Sequence, residues 1–188
     1  MKKVAIFASG NGSNFQALAE ASLRKELNAD ICLLVCDQPD AYVVKRARHL
    51  GIPVFSFRAK EYPSKEAFEN EIALELAKRG VEWIILAGYM RLIGSTLLNR
   101  YRNRIVNIHP SLLPAFPGKD AIGQALDAGV KVTGVTIHFV DEGMDTGPII
   151  AQQSVNILAE DTRETLQKKI QAVEHELYPK TINELLDE

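Results

Sequence analysis

Two hydrophobic rhythms alternate along the chain. Short apolar runs rich in β-branched residues and bounded by turn residues predict strands. Apolar residues three and four apart, between capping residues, predict helices. The first strand is expected over residues 3–8, followed by a glycine-rich turn and a helix over 14–25 that places Phe15, Leu18 and Ala19 on one face. Residues 29–36 predict a second buried strand, 41–50 a helix closed by Gly51, and 53–57 a third strand. Ser64 is the expected N-cap of the next helix, with Glu66 in its first turn, where the helix dipole favours an anion. Phe68, Ile72 and Leu76 form that helix's apolar stripe, and Lys78, Arg79 and Gly80 end it. Strands four and five are expected over 81–87 and 104–108.

After Gly129 the pattern changes. Residues 131–140 and 148–157 predict two strands joined by the loop 141–147, with no helix between them, so they should be antiparallel. Residues 162–186 predict a long closing helix, bent near Pro179. The alternation before Gly129 implies right-handed βαβ crossovers. The fold expected is α/β: a Rossmann-like, doubly wound, mostly parallel sheet with an antiparallel strand pair in the C-terminal half and a long closing helix.

Length and composition narrow this picture. At about 100–200 residues per domain, 188 residues predict a single domain over 1–188. The net charge of −2 disfavours general nucleic-acid binding but leaves room for a local anion site. No apolar run approaches the ~20 residues of a membrane span, and the run 4–8 behind Met1-Lys2-Lys3 is too short for a signal peptide. Cys32 and Cys36 lie on one predicted strand, four steps of about 3.3 Å apart, too far to pair. They read as buried thiols of a cytoplasmic protein.

Four segments carry chemistry. Ser9-Gly10-Asn11-Gly12-Ser13-Asn14 joins the first strand to the first helix. Glycines let the backbone approach a ligand, and amides at a helix start attract anions. No Gly-Lys-[Ser/Thr] follows, and Phe15 stands where a dinucleotide fingerprint needs a third Gly, so a monophosphate or carboxylate fits better. A tight turn capped by Ser or Asn is the plainer alternative.

The second segment, residues 107–118, leaves the carboxyl edge of the sheet, where open α/β sheets bind ligands. Asn107 and His109 are two apart and share one face. Such a pair can polarise a carbonyl and move a proton, or merely cap a loop. The third segment carries Asp141, Glu142 and Asp145 in a Gly- and Pro-marked turn. It can orient an imidazole or be an acidic hairpin turn. Its spacing is not that of an EF-hand, and no metal is expected. The fourth, Gly88 to Ile93, sets apolar residues beside Arg91 and suits a flat heteroaromatic ligand or the packing of a neighbouring helix. His49, His138 and His175 read singly as structural: one solvated at a helix end, one inside a strand, one on the last helix.

Together, Ser9-Gly-Asn-Gly-Ser-Asn14, Leu86-Ala-Gly-Tyr-Met-Arg91, Asn107-Ile-His-Pro-Ser-Leu-Leu-Pro114 and Asp145-Thr-Gly-Pro148 resemble the phosphoribosylglycinamide formyltransferase family over nearly the whole chain. The resemblance implies formyl transfer from 10-formyltetrahydrofolate, a co-substrate, to the amino group of 5-phosphoribosylglycinamide in purine biosynthesis. It implies a catalytic trio of Asn107, His109 and Asp145. Gly12, Ser13 and Asn14 would hold the phosphate, and Glu174 the glycinamide amino end. Met90, Arg91, Leu92 and Ile93, with Val140, Asp141, Glu142, Gly143, Met144 and Asn107, would line the folate pocket. Lys65 stands near the folate where some relatives carry Arg. Residues 1–100 would form the phosphate-binding half and 101–188 the catalytic and folate half. The implied partners are small molecules, with neither nucleic acid nor membrane, and the implied assembly is a monomer or homodimer. Rival readings are 10-formyltetrahydrofolate hydrolysis, methionyl-tRNA formylation and a non-catalytic nucleotide sensor.

Overall fold

The computed structural model spans Met1–Glu188. Its elements are β1 (Lys2–Ala8), α1 (Ser13–Leu23), β2 (Ala29–Cys36), α2 (Tyr42–His49), β3 (Val54–Ser56), a 3-10 turn at Ala59–Glu61, α3 (Lys65–Lys78) and β4 (Trp83–Leu86). They continue with α4 (Ser95–Arg100), β5 (Ile105–His109), α5 (Ala121–Ala128), β6 (Val132–Phe139), β7 (Ile149–Asn156) and α6 (Arg163–Leu186). The seven strands form one sheet in the order β3-β2-β1-β4-β5-β6-β7. Strands β1 to β5 pair in parallel; β6 is antiparallel to both β5 and β7. The expected mixed sheet with its C-terminal antiparallel pair is the sheet observed.

Because β1 is flanked by β2 and β4, the chain reverses its direction of growth between β1 and β4. Open sheets leave a crevice at the carboxyl ends of such strands. Here two backbone-directed bonds tie the crevice walls together: Ser9 N donates to Gly88 O at 3.0 Å, and Met90 N to Ser9 Oγ at 2.9 Å.

Each face of the sheet has its own core. Phe15, Leu18, Val43, Leu166, Ile170 and Tyr178 cover one face from α1, α2 and α6. Phe68, Ile72, Leu76 and Leu97 cover the other from α3 and α4. Phe15 has no exposed surface, and burying such a side chain contributes roughly 1.5–3 kcal/mol. Tyr178 carries its hydroxyl into the core and satisfies it by donating to Leu86 O at 2.6 Å, which fixes α6 against the end of β4.

The predicted elements stand close to their expected bounds, and Ser64 caps α3 by accepting from Ala67 N. Two short helices, α4 and α5, of six and eight residues, stand where the sequence pattern predicts none. The closing helix continues through Pro179 as α6; Thr162 and Thr165 cap its start reciprocally, and its buried face packs into the core. The cysteines are both free, Cys36 buried and Cys32 only partly so. A bulge explains the difference: Val4 pairs with Ile31 and Ala5 with Leu33, so Cys32 is the extra residue of β2.

Candidate active site

β5 delivers Asn107 and His109 at the carboxyl edge, and His109 is almost wholly buried. The loop that follows doubles back over His109. Phe116 adopts a left-handed conformation (φ 53°), and its carbonyl lies 2.8 Å from His109 Nε2. A carbonyl only accepts, so Nε2 carries the proton and Nδ1 faces inward. Nδ1 lies 3.5 Å from Asp145 Oδ2.

The loop is held by a buried network. Ser111 Oγ donates to Ala115 O at 2.6 Å. Thr136 Oγ1 donates to Ser111 O and accepts from Leu113 N and Gln152 Nε2, at 2.7, 3.0 and 3.0 Å. Thr136 sits opposite His109 in the β5–β6 register.

Asp145 also takes a left-handed conformation (φ 57°) and accepts from Gly118 N at 2.8 Å. Non-glycine residues in this region store roughly 1–3 kcal/mol, which the surrounding bonds must offset. Two residues on, Gly147 passes so close to Phe139 O that any side chain would collide with it.

His138 is the buried inner strand residue its position predicts, and it also lines the same cleft, with Nε2 3.8 Å from Asp145 Oδ1. Its Nδ1 lies 2.8 Å from Phe139 O and therefore carries the proton in the neutral ring. That leaves the Nε2 lone pair facing Asn107 Nδ2 at 3.4 Å. One N–H of the Asn107 amide is thus directed to His138 and the other is free for the cleft. The antiparallel register Asn107↔His138 sets this contact. No sequence pattern spanning thirty-one positions announces such a pair.

The cleft has a volume of about 870 Å³. Gly12, Ser13 and Asn14 line one end and Glu174 the adjoining wall. Gly12 is left-handed (φ 81°), a side chain there would collide with Val43, and no side chain caps the first amides of α1. The Ser or Asn cap of the plainer turn reading is therefore absent. Asn14 Nδ2 donates to Glu174 Oε2 at 2.7 Å, while its Oδ1 is buried without a partner. Burial pushes the Glu174 carboxyl up, and the Asn14 bond only partly opposes this.

Met90, Arg91, Leu92, Ile93, Val140, Gly143 and Met144 line the other end. Met90 and Met144 are largely exposed, 73% and 50%, so apolar surface faces the opening. Arg91 Nε donates to the buried Asp37 at 2.8 Å, and Gly94 N to the buried Glu69 at 2.8 Å, which together anchor this wall. Lys65, Asp141 and Glu142 are not in the lining. Lys65 Nζ donates to Leu92 O at 2.7 Å behind the wall. Asp141 accepts from Thr146 Oγ1 and Gly143 N, holding the loop's shape, and the Thr146 bond is the first cause of its lowered pKa. Glu142 faces outward, 3.5 Å from Arg102. Lys119, Arg163 and Gln167 also line the cleft, without having stood out in the sequence. No group of three or more His, Cys, Asp or Glu side chains could hold a metal ion.

This arrangement sets one free amide N–H, one imidazole and one carboxylate around a common space, with an anion-attracting helix start at one end and apolar walls at the other. It suits stabilising an oxyanion on a carbonyl while an anionic ligand and a flat ligand meet.

Residues 2–182 match the family described as formyl transferase. The chain is 56% identical to a phosphoribosylglycinamide formyltransferase of Bacillus subtilis, over 99% of this chain and 95% of that one. Among solved structures, glycinamide ribonucleotide transformylase 1 from Geobacillus kaustophilus superposes with a TM-score of 0.97 at 60% identity, covering 99% of both chains. A phosphoribosylglycinamide formyltransferase from Bacillus halodurans gives 0.97 at 58% identity, covering all of this chain and 96% of the other. By sequence match and by fold alike, the chain belongs to the formyl transferase family.

Proposed function

We propose that this enzyme transfers the formyl group of 10-formyltetrahydrofolate to the amino group of 5-phosphoribosylglycinamide, a step of purine biosynthesis. The observation that supports this most is the meeting of Asn107, His109 and Asp145 between an uncapped helix start and an apolar-walled cleft end. Relatives that carry this name or its synonym align over the full length.

On this reading Gly12, Ser13 and Asn14 hold the phosphate. Glu174 faces the glycinamide side, and residues 90–93, 140 and 143–144 receive the pterin. Lys65, Asp141 and Glu142 then act from behind or outside the pocket wall, shaping it rather than lining it. Both halves of the chain serve both ligands, so residues 1–188 work as one domain. Both ligands are anions that do not cross membranes unaided, which makes the cytoplasm the setting, and no helix is long and apolar enough to cross a membrane.

The neutral primary amine attacks the formyl carbon, and the carbonyl π electrons move to oxygen. The free N–H of Asn107 and the His109 ring stabilise that oxyanion; a single such donor is worth about 10²–10³ in rate. The oxyanion then collapses and breaks the bond to the folate nitrogen. The proton lost by the attacking amine ends on that nitrogen, and Asp145 lies where it can assist this relay. Holding amine and formyl carbon in contact supplies much of the remaining acceleration.

The test mixes the protein with 5-phosphoribosylglycinamide and a 10-formyl folate and follows the deformylated folate by absorbance and the formylated ribonucleotide by mass. Equal amounts of both products are expected. Deformylation without the ribonucleotide would replace this reading with hydrolysis, and binding without turnover would replace it with a sensor.

A further inference from the structure

The glycine-rich turn leans on α2, and α2 carries an arginine with no acidic partner. Val43 N donates to Gly10 O at 3.0 Å, and Gly12 leaves the space that Val43 fills. One turn on, Arg46 Nε donates to Asn11 O at 2.7 Å and Nη2 to Asn11 Oδ1 at 3.3 Å. Its guanidinium carbon sits 4.7 Å from the centre of the Tyr42 ring, four residues earlier on the same helix. Arg46 takes part in none of the chain's ion pairs. The first turn of α1 contains no acid either. The charge of Arg46 is therefore uncancelled at close range, directly behind the residues read as the phosphate subsite.

We infer that Arg46, which lies outside the cleft lining, is the positioning residue of the phosphate subsite. Its two parallel donors engage the Asn11 carbonyl and amide oxygen, although Asn11 itself lines the cleft. With those acceptors occupied by a cation, the amides of the residues that follow meet the ligand with less opposition. A left-handed glycine next door makes this fixation necessary, because glycine has the widest conformational choice of any residue. The fork needs a guanidinium: lysine would keep the charge but is a point donor that cannot bond two fixed oxygens with the same geometry. The Tyr42 face holds the guanidinium plane in place without neutralising it.

The inference rests on the reading of Gly12–Asn14 as the phosphate subsite, and the experiment separates the two. Inorganic phosphate is titrated calorimetrically into the wild type, Ser13→Ala, Arg46→Met and Arg46→Lys at low ionic strength. Both Michaelis constants, kcat and Tm are measured for each protein. Arg46→Met should weaken phosphate binding and raise the ribonucleotide's KM by about tenfold, the scale of one lost charge-assisted bond pair. The folate KM, kcat and Tm should change little. Arg46→Lys should fall between the two and keep the salt dependence that Arg46→Met loses. Unchanged phosphate affinity in Arg46→Met, with Ser13→Ala impaired, would overturn the role of Arg46 alone. Unchanged affinity in both would overturn the subsite reading and this inference with it. A parallel rise in both Michaelis constants with a lowered Tm would make Arg46 a general structural residue and overturn its positioning role.

Discussion

Two parts of the cleft are built by opposite strategies. The part at Gly12–Asn14 belongs to one stretch, Ser9–Asn14, that joins β1 to α1. The part at Asn107, His109 and Asp145 is assembled from two separate segments, the end of β5 and the loop before β7, and is built of side chains. The first is set by one left-handed glycine and a helix start. The second depends on two left-handed non-glycine residues, a buried hydroxyl network and an antiparallel strand register. A backbone site tolerates changes of side chain around it, whereas an assembled side-chain site depends on every element that supports it.

The sharpest way to break this contrast is at the side-chain end. His109→Ala and Asp145→Ala should each lower kcat by at least about a hundredfold, the usual loss for an oxyanion donor or its partner, with the fold retained and Tm lowered by the loss of the Phe116 and Gly118 bonds. Stopped-flow turnover together with thermal melting checks this; near-normal kcat in either variant would remove that residue from the trio. At the backbone end the effect should be smaller and of a different kind. Ser13→Ala should raise the ribonucleotide's KM by several-fold to about tenfold and leave the folate's KM alone, because one hydroxyl bond is lost while the amides remain. The opposite split would mean that the two ends have been exchanged.

His138 sharpens the comparison further. His138→Phe should lower kcat by roughly fivefold through loss of the bond that directs the Asn107 amide, a net hydrogen-bond effect of about 1 kcal/mol. His138→Gln, which can still present an acceptor to Asn107, should recover part of it. Equal loss in both variants would point to packing instead. This residue also marks the limit of sequence reading. Asn107 and His109 could be placed on one face from their spacing alone, but only the β5–β6 register brings His138 opposite Asn107. The left-handed turns at Phe116 and Asp145 belong to the same class of fact: nothing in the residue types demands them, and the surrounding bonds impose them.

The smallest effect is one of pH on stability. The Glu174 carboxyl is raised by burial, so the folded protein holds its proton at pH values where the unfolded chain has released it. Its stabilising contribution is complete below the ordinary carboxylate range and declines as pH rises through the raised value. Glu174→Gln should therefore gain stability relative to wild type as pH rises above the ordinary carboxylate range. Denaturant midpoints measured across that range give the slope; a difference that does not vary with pH would mean that the folded and unfolded pKa values coincide.

Local rules reach far in this chain. Strand and helix periodicity, capping at Ser64, and the glycines of the first turn are short-range signals, and they specify a mostly parallel sheet with its ligand loops at one edge. They offer Asn107, His109 and Gly12–Asn14 as candidates beside structural alternatives, and the family resemblance, not any local rule, singles out Asp145 from the acidic turn. The short helices α4 and α5 and the bulge at Cys32 escape the same rules. Which carboxylates of the acidic loop face the cleft, how His138 directs Asn107 and why Arg46 stands behind the first turn were decided by tertiary structure. Each depends on groups far apart in sequence whose distance is set by strand register and helix packing, and that information is carried by no single segment.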